Sequence, residues 1–282
     1  MSAIRDFIDT VTAHDSVSPF NDATLLALDE RQQIRVERDG VLAGLALSRV
    51  LDHGAGIEAE LAVLPSFRRR GIGTQLLQQL VDQLTEQHDR SGQGVLQVWA
   101  HGNLPGAAQL AEAAGLKLSR ELFVMEVALS EVVDQGAEAP LPEGFRIRAF
   151  DPHTDREAWV GLNARVFANH PEQGSLTVGD LDARIAQDWF DASGFLLLEH
   201  RGELVGYNWL KNNEIYVIGV DESLAGHGLG RALMAAGFAK LRENGHTTAM
   251  LYVDGTNAAA RALYQKLGFA DVFVDAQYSR GL

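Results

Sequence analysis

Along the chain, short apolar runs of strand length alternate with stretches whose apolar residues recur at helical spacing. The pattern predicts a helix over 4–13, a turn at Ser18-Pro19 and a helix over 22–30. Strands follow over 33–38 and 41–50, joined at Asp39-Gly40, a pair that suits a two-residue hairpin because both residues tolerate positive φ. A strand over 57–63, a helix over 74–88, a strand over 95–100, a helix over 104–114 and a strand pair within 116–129 come next. Beyond them lie a strand over 145–149, a helix over 155–168, a helix over 177–186 with an amphipathic pattern over 180–190, and strands over 194–199 and 203–210 joined at Arg201-Gly202. A strand over 215–220, a Gly-rich turn over 226–230, a helix over 231–243, a strand over 248–253, a helix over 258–267 and a strand over 272–278 finish the chain. Trp159, Trp189 and Phe190 read as core.

The pattern repeats. Sliding the chain on itself lays 59–73 over 216–230, each an apolar strand, a short loop and G-x-G at a helix start. The register continues through V-L-Q-V-W-A over A-M-L-Y-V-D, then through an Ala-rich helix after Asn103 and another after Asn257. Self-similarity of this length means two copies of one domain. The expected division is 1–134, a Pro-containing aperiodic linker over 135–142, and 143–282. Strands and helices in this order predict an α/β fold with a mixed α+β sheet in each copy. The Gly turns suit phosphate, because glycines let the backbone approach an anion and the first helical turn offers free N–H groups and a positive dipole end.

Composition narrows the function. An apolar content of 46% is ample for two cores, and a formal net charge of −14 argues against nucleic acid or an anionic membrane as the main partner. The absence of cysteine excludes disulfides and thiolate chemistry. His170 and His227 form no ligand-like grouping, so no metal is expected. The N-terminal residues lack the basic and apolar regions of a secretory signal, and no run has the length of a membrane span. The expectation is a soluble cytoplasmic monomer, since two fused copies already form a pseudo-dimer.

Each copy resembles the GNAT superfamily of acyl-CoA N-acyltransferases, whose signature is a strand followed by Q/R-x-x-G-x-G/A at a helix start. Arg68-Arg69-Arg70-Gly71-Ile72-Gly73 matches in full. Ala225-Gly226-His227-Gly228-Leu229-Gly230 departs only at Ala225, where Gln or Arg is usual. The segment from Asn257 to Tyr264-Gln265-Lys266-Leu267-Gly268-Phe269 resembles another conserved stretch of the superfamily. The resemblance implies two tandem GNAT domains and acetyl-CoA as cosubstrate. Its cradle in the first copy is implied to be Leu61, Ala62, Val63, Arg69, Arg70, Gly71, Ile72, Gly73 and Thr74. In the second it is Ile218, Gly219, Val220, Ala225, Gly226, His227, Gly228, Leu229, Gly230 and Arg231, with Asn257, Ala258, Ala259, Ala260, Arg261 and Ala262.

Further segments, V-S-P-F-N-D at 17–22, H-P-E-Q-G at 170–174 and D-W-F-D at 188–191, resemble a tandem branch of the superfamily that acetylates the cysteinyl amine of cysteinyl-glucosaminyl-inositol. That resemblance implies an acceptor pocket of Asp22, Glu172, Lys211, Glu214 and Tyr252, although Asp22 also fits a helix N-cap and the link from Lys211 to Glu214 is contracted. Two other readings stay open: a tandem GNAT enzyme for another small amine, such as an amino acid or aminoglycoside, and a non-catalytic acyl-CoA sensor.

In acetyl transfer an amine attacks a thioester and a thiolate leaves. An α-amino group with a pKa of about 7.7–8.0 needs a base only to accept its proton, and a phenol near 10 can protonate a thiolate. Glu214 and Tyr264 are the expected base and acid, with the backbone of 218–220 polarising the carbonyl. In the first copy Ile57 lies over Glu214 and Ala111 over Tyr264, with Glu58 one residue away and so expected on the opposite strand face. Catalysis is therefore expected in the second half.

Overall fold

A computed structural model of the chain describes residues 2–51, 55–88, 94–132, 141–168, 173–224 and 226–281. The chain packs as two compact units.

The first unit comprises Met1–Phe123 with Asp254–Thr256 and Phe273–Leu282. It holds α1 (Ser2–Asp15), α2 (Asp22–Leu26), β1 (Gln32–Arg38), β2 (Val41–Val50), β3 (Gly56–Val63), α3 (Ile72–His88), β4 (Val95–Ala100) and α4 (Pro105–Ala113), with the start of β5 (Lys117–Ala128) and the end of β11 (Ala270–Gly281). The sheet runs β1-β2-β3-β4-β11. One face carries Ile57, Ala59, Leu96 and Val98 against Leu76 and Leu80 of α3. The other carries Leu45, Leu47 and Ala62 against Ile4, Phe7 and Val11, the apolar stripe of α1. These three α1 side chains are no more than 3% exposed, and burial of each stabilises the fold by about 1.5–3 kcal/mol.

The second unit comprises Val124–Val253 and Asn257–Val272. Its elements are β6 (Phe145–Ala149), α5 (Arg156–Val166), α6 (Val178–Ile185), β7 (Phe195–His200), β8 (Glu203–Lys211), β9 (Glu214–Val220), α7 (Leu229–Glu243), β10 (Thr248–Asp254) and α8 (Ala258–Lys266). Its strands follow the order β5-β10-β9-β8-β7-β6. Trp159, Tyr207 and Trp209 pack on the α5 face, while Leu198, Leu229 and Leu233 pack on the α7 face.

The packed units do not follow the linear division expected from the repeat. The last residues of the chain join the first unit, where Ala276–Gly281 pairs antiparallel with Ala100–Val95 of β4. That pairing satisfies an edge of β4 that would otherwise present a row of open N–H and C=O groups. Residues 124–132 in turn belong to the second unit. Most of the expected linker, 135–140, lies outside the described residues. α2 is shorter than its apolar pattern predicts, whereas α6 (Val178–Ile185) matches the expected helix over 177–186 and only the amphipathic stretch beyond it, to 190, is not helical. α2 ends at Leu26 and its N-cap is Asn21, whose side chain accepts from Thr24 N at 2.8 Å, so Asp22 is the first helical residue rather than the cap. α6 ends at Ile185, and tight turns from Gln187 N to Arg184 O and from Phe190 N to Gln187 O bring Trp189 and Phe190 onto Trp209. Among the described residues no helix is long and apolar enough to cross a membrane.

Candidate active site

In both units two parallel strands run together and then part. β3 and β4 pair from Gly56↔Val95 to Glu60↔Trp99, whereas β9 and β10 pair only at Glu214↔Met250 and Ile215↔Leu251. Leu61, Ala62 and Val63 in the first unit, and Ile218, Gly219 and Val220 in the second, lie beyond these pairings. The loops that follow are built for close approach. Gly71, Gly226 and Gly228 have φ of +80°, +84° and +74°, a left-handed backbone that other residues adopt at a cost. The first helical bond of α7 is Ala232 N to Gly228 O, and that of α3 is Gln75 N to Gly71 O. The preceding N–H groups, of Leu229, Gly230 and Arg231 and of Ile72, Gly73 and Thr74, therefore have no partner within their helices and form a cradle that fits a pyrophosphate. The Leu229 side chain is 2% exposed and packed on Leu198, Val205 and Leu233, so it anchors the loop and offers only its backbone. His227 Nδ1 lies 3.1 Å from Leu224 O, and Ala225 lies outside the described residues. Asn257 caps α8 by accepting from Ala260 N at 3.0 Å, and Arg261 pairs with Asp271 at 2.7 Å.

The first unit contains a cavity of about 770 Å³ between its parted strands, phosphate loop and α4. Of the nine cradle residues expected there, Leu61, Ala62, Val63, Arg69, Gly71, Ile72 and Gly73 line it, while Arg70 and Thr74 do not. Arg70 lies over the Phe67 ring at 5.6 Å, and Arg69 donates to Gln109 at 3.1 Å. Arg68 is fully engaged: it donates to Val63 O and, twice, to Asp15 at 2.8 and 2.5 Å. Burial pushes the Asp15 carboxyl up, but the Arg68 and His14 hydrogen bonds and charges together hold it below the usual carboxylate range. Tyr278, from the strand the sequence places in the other half, also lines the cavity and donates its hydroxyl to Asn103 at 2.8 Å.

In the second unit a hairpin sets two of the expected acceptor residues, Lys211 and Glu214. β8 and β9 are joined by Asn212-Asn213 alone, Asn212 with φ of 53°, which makes Lys211 and Glu214 direct cross-strand partners. The contraction noted in the sequence is thus a tight turn. The Lys211 ammonium lies over the rings of Trp189 and Tyr216, at 5.3 and 5.6 Å. Tyr252, on β10, is 41% exposed. Tyr264 is half-buried on α8 against Phe269, 5.8 Å between ring centres, and burial pushes its phenol up, so it stays protonated. Asp22 belongs to the first unit and is exposed, and Glu172 and His170 lie outside the described residues.

The strand registers correct the comparison between the copies. Gly44↔Val63 and Gly206↔Val220 are equivalent pairs, and five residues on from each glycine stand Arg49 and Lys211. Arg49 pairs with Glu58, and Lys211 pairs with Glu214. β9 holds one extra residue here, a bulge at Tyr216 opposite Trp209/Leu210 that β3 lacks. Glu58, not Ile57, is therefore the counterpart of Glu214, and Ile57 is buried against α3. The first unit keeps the carboxylate but engages it: Arg49 Nε donates to it at 2.8 Å and Trp99 Nε1 at 3.4 Å. The other correspondence stands, because Phe269 N bonds Tyr264 O as Leu116 N bonds Ala111 O. The first unit has Ala111, with no phenol, at this place.

On the same face of β3 as Glu58 lies a buried ionic cluster absent from the sequence reading. His101 Nε2 meets Glu60 at 2.7 Å and His101 Nδ1 meets Asp275 at 2.9 Å, while Gly102 N and Asn21 N donate to the same carboxylates. Burial pushes the imidazole down, but the Asp275 and Glu60 bonds and charges outweigh it and raise its pKa to about 10, so it is a cation at neutral pH. Its two carboxylates come from residues 174 and 41 positions away, a separation no local motif reveals. Among the described residues no group of His, Asp and Glu is arranged to hold a metal.

Comparison with known proteins agrees with this geometry. The GNAT acetyltransferase family matches residues 4–115 and 165–269. A mycothiol acetyltransferase of Thermobispora bispora is 43% identical, over 99% of this chain and 95% of its own. One of Salinispora arenicola is 44% identical over 94% of this chain and 88% of its own. A solved tandem GNAT protein from the clavulanic acid biosynthesis pathway shares the fold with a TM-score of 0.74 at 18% identity, over 99% of this chain and 95% of that one. The chain is thus an N-acetyltransferase with two GNAT domains that belongs, within the GNAT family, to the mycothiol acetyltransferases.

Proposed function

We propose that the protein acetylates the cysteinyl amine of cysteinyl-glucosaminyl-inositol, the precursor of mycothiol, with acetyl-CoA, and that the second unit carries the reaction. The observation that supports this most is the pairing of Lys211 with Glu214 on one side of parted strands whose unit also holds the protonated, half-buried Tyr264. Acetyl-CoA, when bound, supplies the activated acyl thioester. In this reading the N–H groups of Leu229, Gly230 and Arg231 hold its pyrophosphate, and the backbone of Ile218, Gly219 and Val220 bears on the acyl oxygen. Glu214 takes the proton of the attacking amine and Tyr264 gives its phenolic proton to the departing sulfur. Glu172, Lys211 and Tyr252 are the acceptor residues of this unit, the carboxylate for ammonium and hydroxyl groups and Lys211 as a donor to hydroxyl oxygens.

The first unit is a cofactor site without turnover: its cavity and Gly71 loop suit acetyl-CoA, but Glu58 is engaged by Arg49 and Trp99, and Ala111 supplies no proton. Incubation with acetyl-CoA and the cysteinyl acceptor should release CoA and form the N-acetyl product. Release with amino acids or aminoglycosides but not with this acceptor would overturn the acceptor assignment. Binding of acetyl-CoA with no release for any amine would make the chain a sensor.

A further inference from the structure

The two copies differ in bulk at the end of the helix that follows the phosphate loop's partner strand. In the second unit Tyr264 of α8 packs on Phe269, 5.8 Å between ring centres. The equivalent backbone bonds, Phe269 N to Tyr264 O and Leu116 N to Ala111 O, set Ala111 and Leu116 at these places in the first unit, two rings fewer. Both line the cavity of about 770 Å³, beside Leu77, Val98 and Leu110. The place that a phenol takes in one copy is thus apolar cavity wall in the other. The charged side chains of that wall are engaged elsewhere in the protein: Asp15 with Arg68, Arg69 with Gln109, and His101 with Glu60 and Asp275. A wall whose charges are already partnered and whose remaining surface is aliphatic favours a ligand that brings hydrocarbon.

We propose that the first unit binds an acyl-CoA whose acyl chain is longer than acetyl, such as butyryl-CoA, with the chain against Ala111 and Leu116. This rests on reading the first unit as a cofactor site. Tyr264 is read as the group that meets the sulfur in the second unit, so Ala111, its counterpart, marks the place beside the sulfur where an acyl chain begins. There the first unit has a methyl group and open space in place of a ring. The bound thioester is held and not consumed, because Arg49 and Trp99 engage Glu58 and no phenol stands at 111. Each methylene taken out of water strengthens binding about fourfold, so the two extra methylenes of butyryl-CoA strengthen it about tenfold or more.

Amide hydrogen exchange of the full chain, titrated with acetyl-CoA and with butyryl-CoA in the absence of any amine, reads the first unit separately from the second. Protection of residues 61–77 should reach half its maximum at about tenfold lower butyryl-CoA than acetyl-CoA. In Ala111→Leu, which fills the space with an aliphatic chain, the two concentrations should agree within twofold while acetyl-CoA still protects. Leu116→Phe, which restores the ring of the second copy, gives the same test should Ala111→Leu not fold. Equal concentrations in the parent protein, or a preference that persists in the folded variants, would overturn the proposal and leave the first unit a cofactor site. Loss of acetyl-CoA protection in variants that keep the parent circular dichroism would place the common CoA arm against Ala111 and overturn it as well. Protection of 61–77 by neither ligand would overturn the cofactor reading itself.

Discussion

Arg49 Nε lies 2.8 Å from Glu58 in the first unit, at the register position that Lys211 and Glu214 occupy in the second. The two copies therefore differ less in whether they hold a carboxylate than in what surrounds it. Arg49 forms a charge-assisted hydrogen bond to Glu58, which occupies a carboxylate oxygen that an amine would otherwise reach. Glu58→Gln should leave kcat for acetyl transfer within twofold of the parent value. A tenfold loss, measured by CoA release at saturating acceptor, would place chemistry in the first unit.

Tyr264 sits where burial raises its phenol above the usual value of 10.0. A proton donor must be protonated, so the raised pKa carries the active form to higher pH than an ordinary tyrosine would. Activity should show no phenol-dependent fall below pH 10, and Tyr264→Phe should lower kcat about 10²–10⁴-fold, the usual contribution of a positioned acid. An alkaline limb centred below pH 10 that disappears in Tyr264→Phe would contradict this assignment of its environment.

The His101 cluster links stability to pH. Its folded pKa of about 10 stands above the ordinary 6.5, so its contribution is fully present below pH 6.5 and is lost as the pH rises through about 10. His101→Ala leaves Glu60 and Asp275 as two buried carboxylates without their shared cation, and loss of one partner of such a cluster costs about 3–5 kcal/mol. Denaturant unfolding should show that loss at pH 7, and the difference between parent and variant should shrink above pH 10. An equal difference at both pH values would contradict the protonated state.

Removal of residues 273–282 should unsettle the first unit, because Ala276–Gly281 completes its sheet beside β4 and Asp275 bonds His101. Amide exchange in Val95–Ala100 should speed up markedly in the truncated chain. Unchanged protection of β4 would show that the strand is dispensable there.

Much of this was legible in the sequence because it is local. The Gly loops, the hairpin at Asp39-Gly40, the parallel strands and the helix before Gly268 each announce themselves within a few residues, and the repeat supplies the second reading of every one. The failures that bear on the site are non-local. Placement of the last strand depends on which edge lacks a partner, and nothing near residue 276 states that the open edge belongs to Val95–Ala100. Comparison of Glu214 with Ile57 by counting assumed equal strand lengths, and the bulge at Tyr216 breaks that count by one, which reverses the face. Tyr278 in the cavity and Asp275 on His101 were hidden for the same reason as the strand that carries them.

The central claim, that the second unit performs the chemistry on a base at Glu214, is tested most directly by the turnover of Glu214→Gln with acetyl-CoA and the cysteinyl acceptor, alongside its acetyl-CoA affinity. The account predicts a kcat lowered by about 10²-fold or more with affinity nearly unchanged. Parent-level turnover in Glu214→Gln would contradict it.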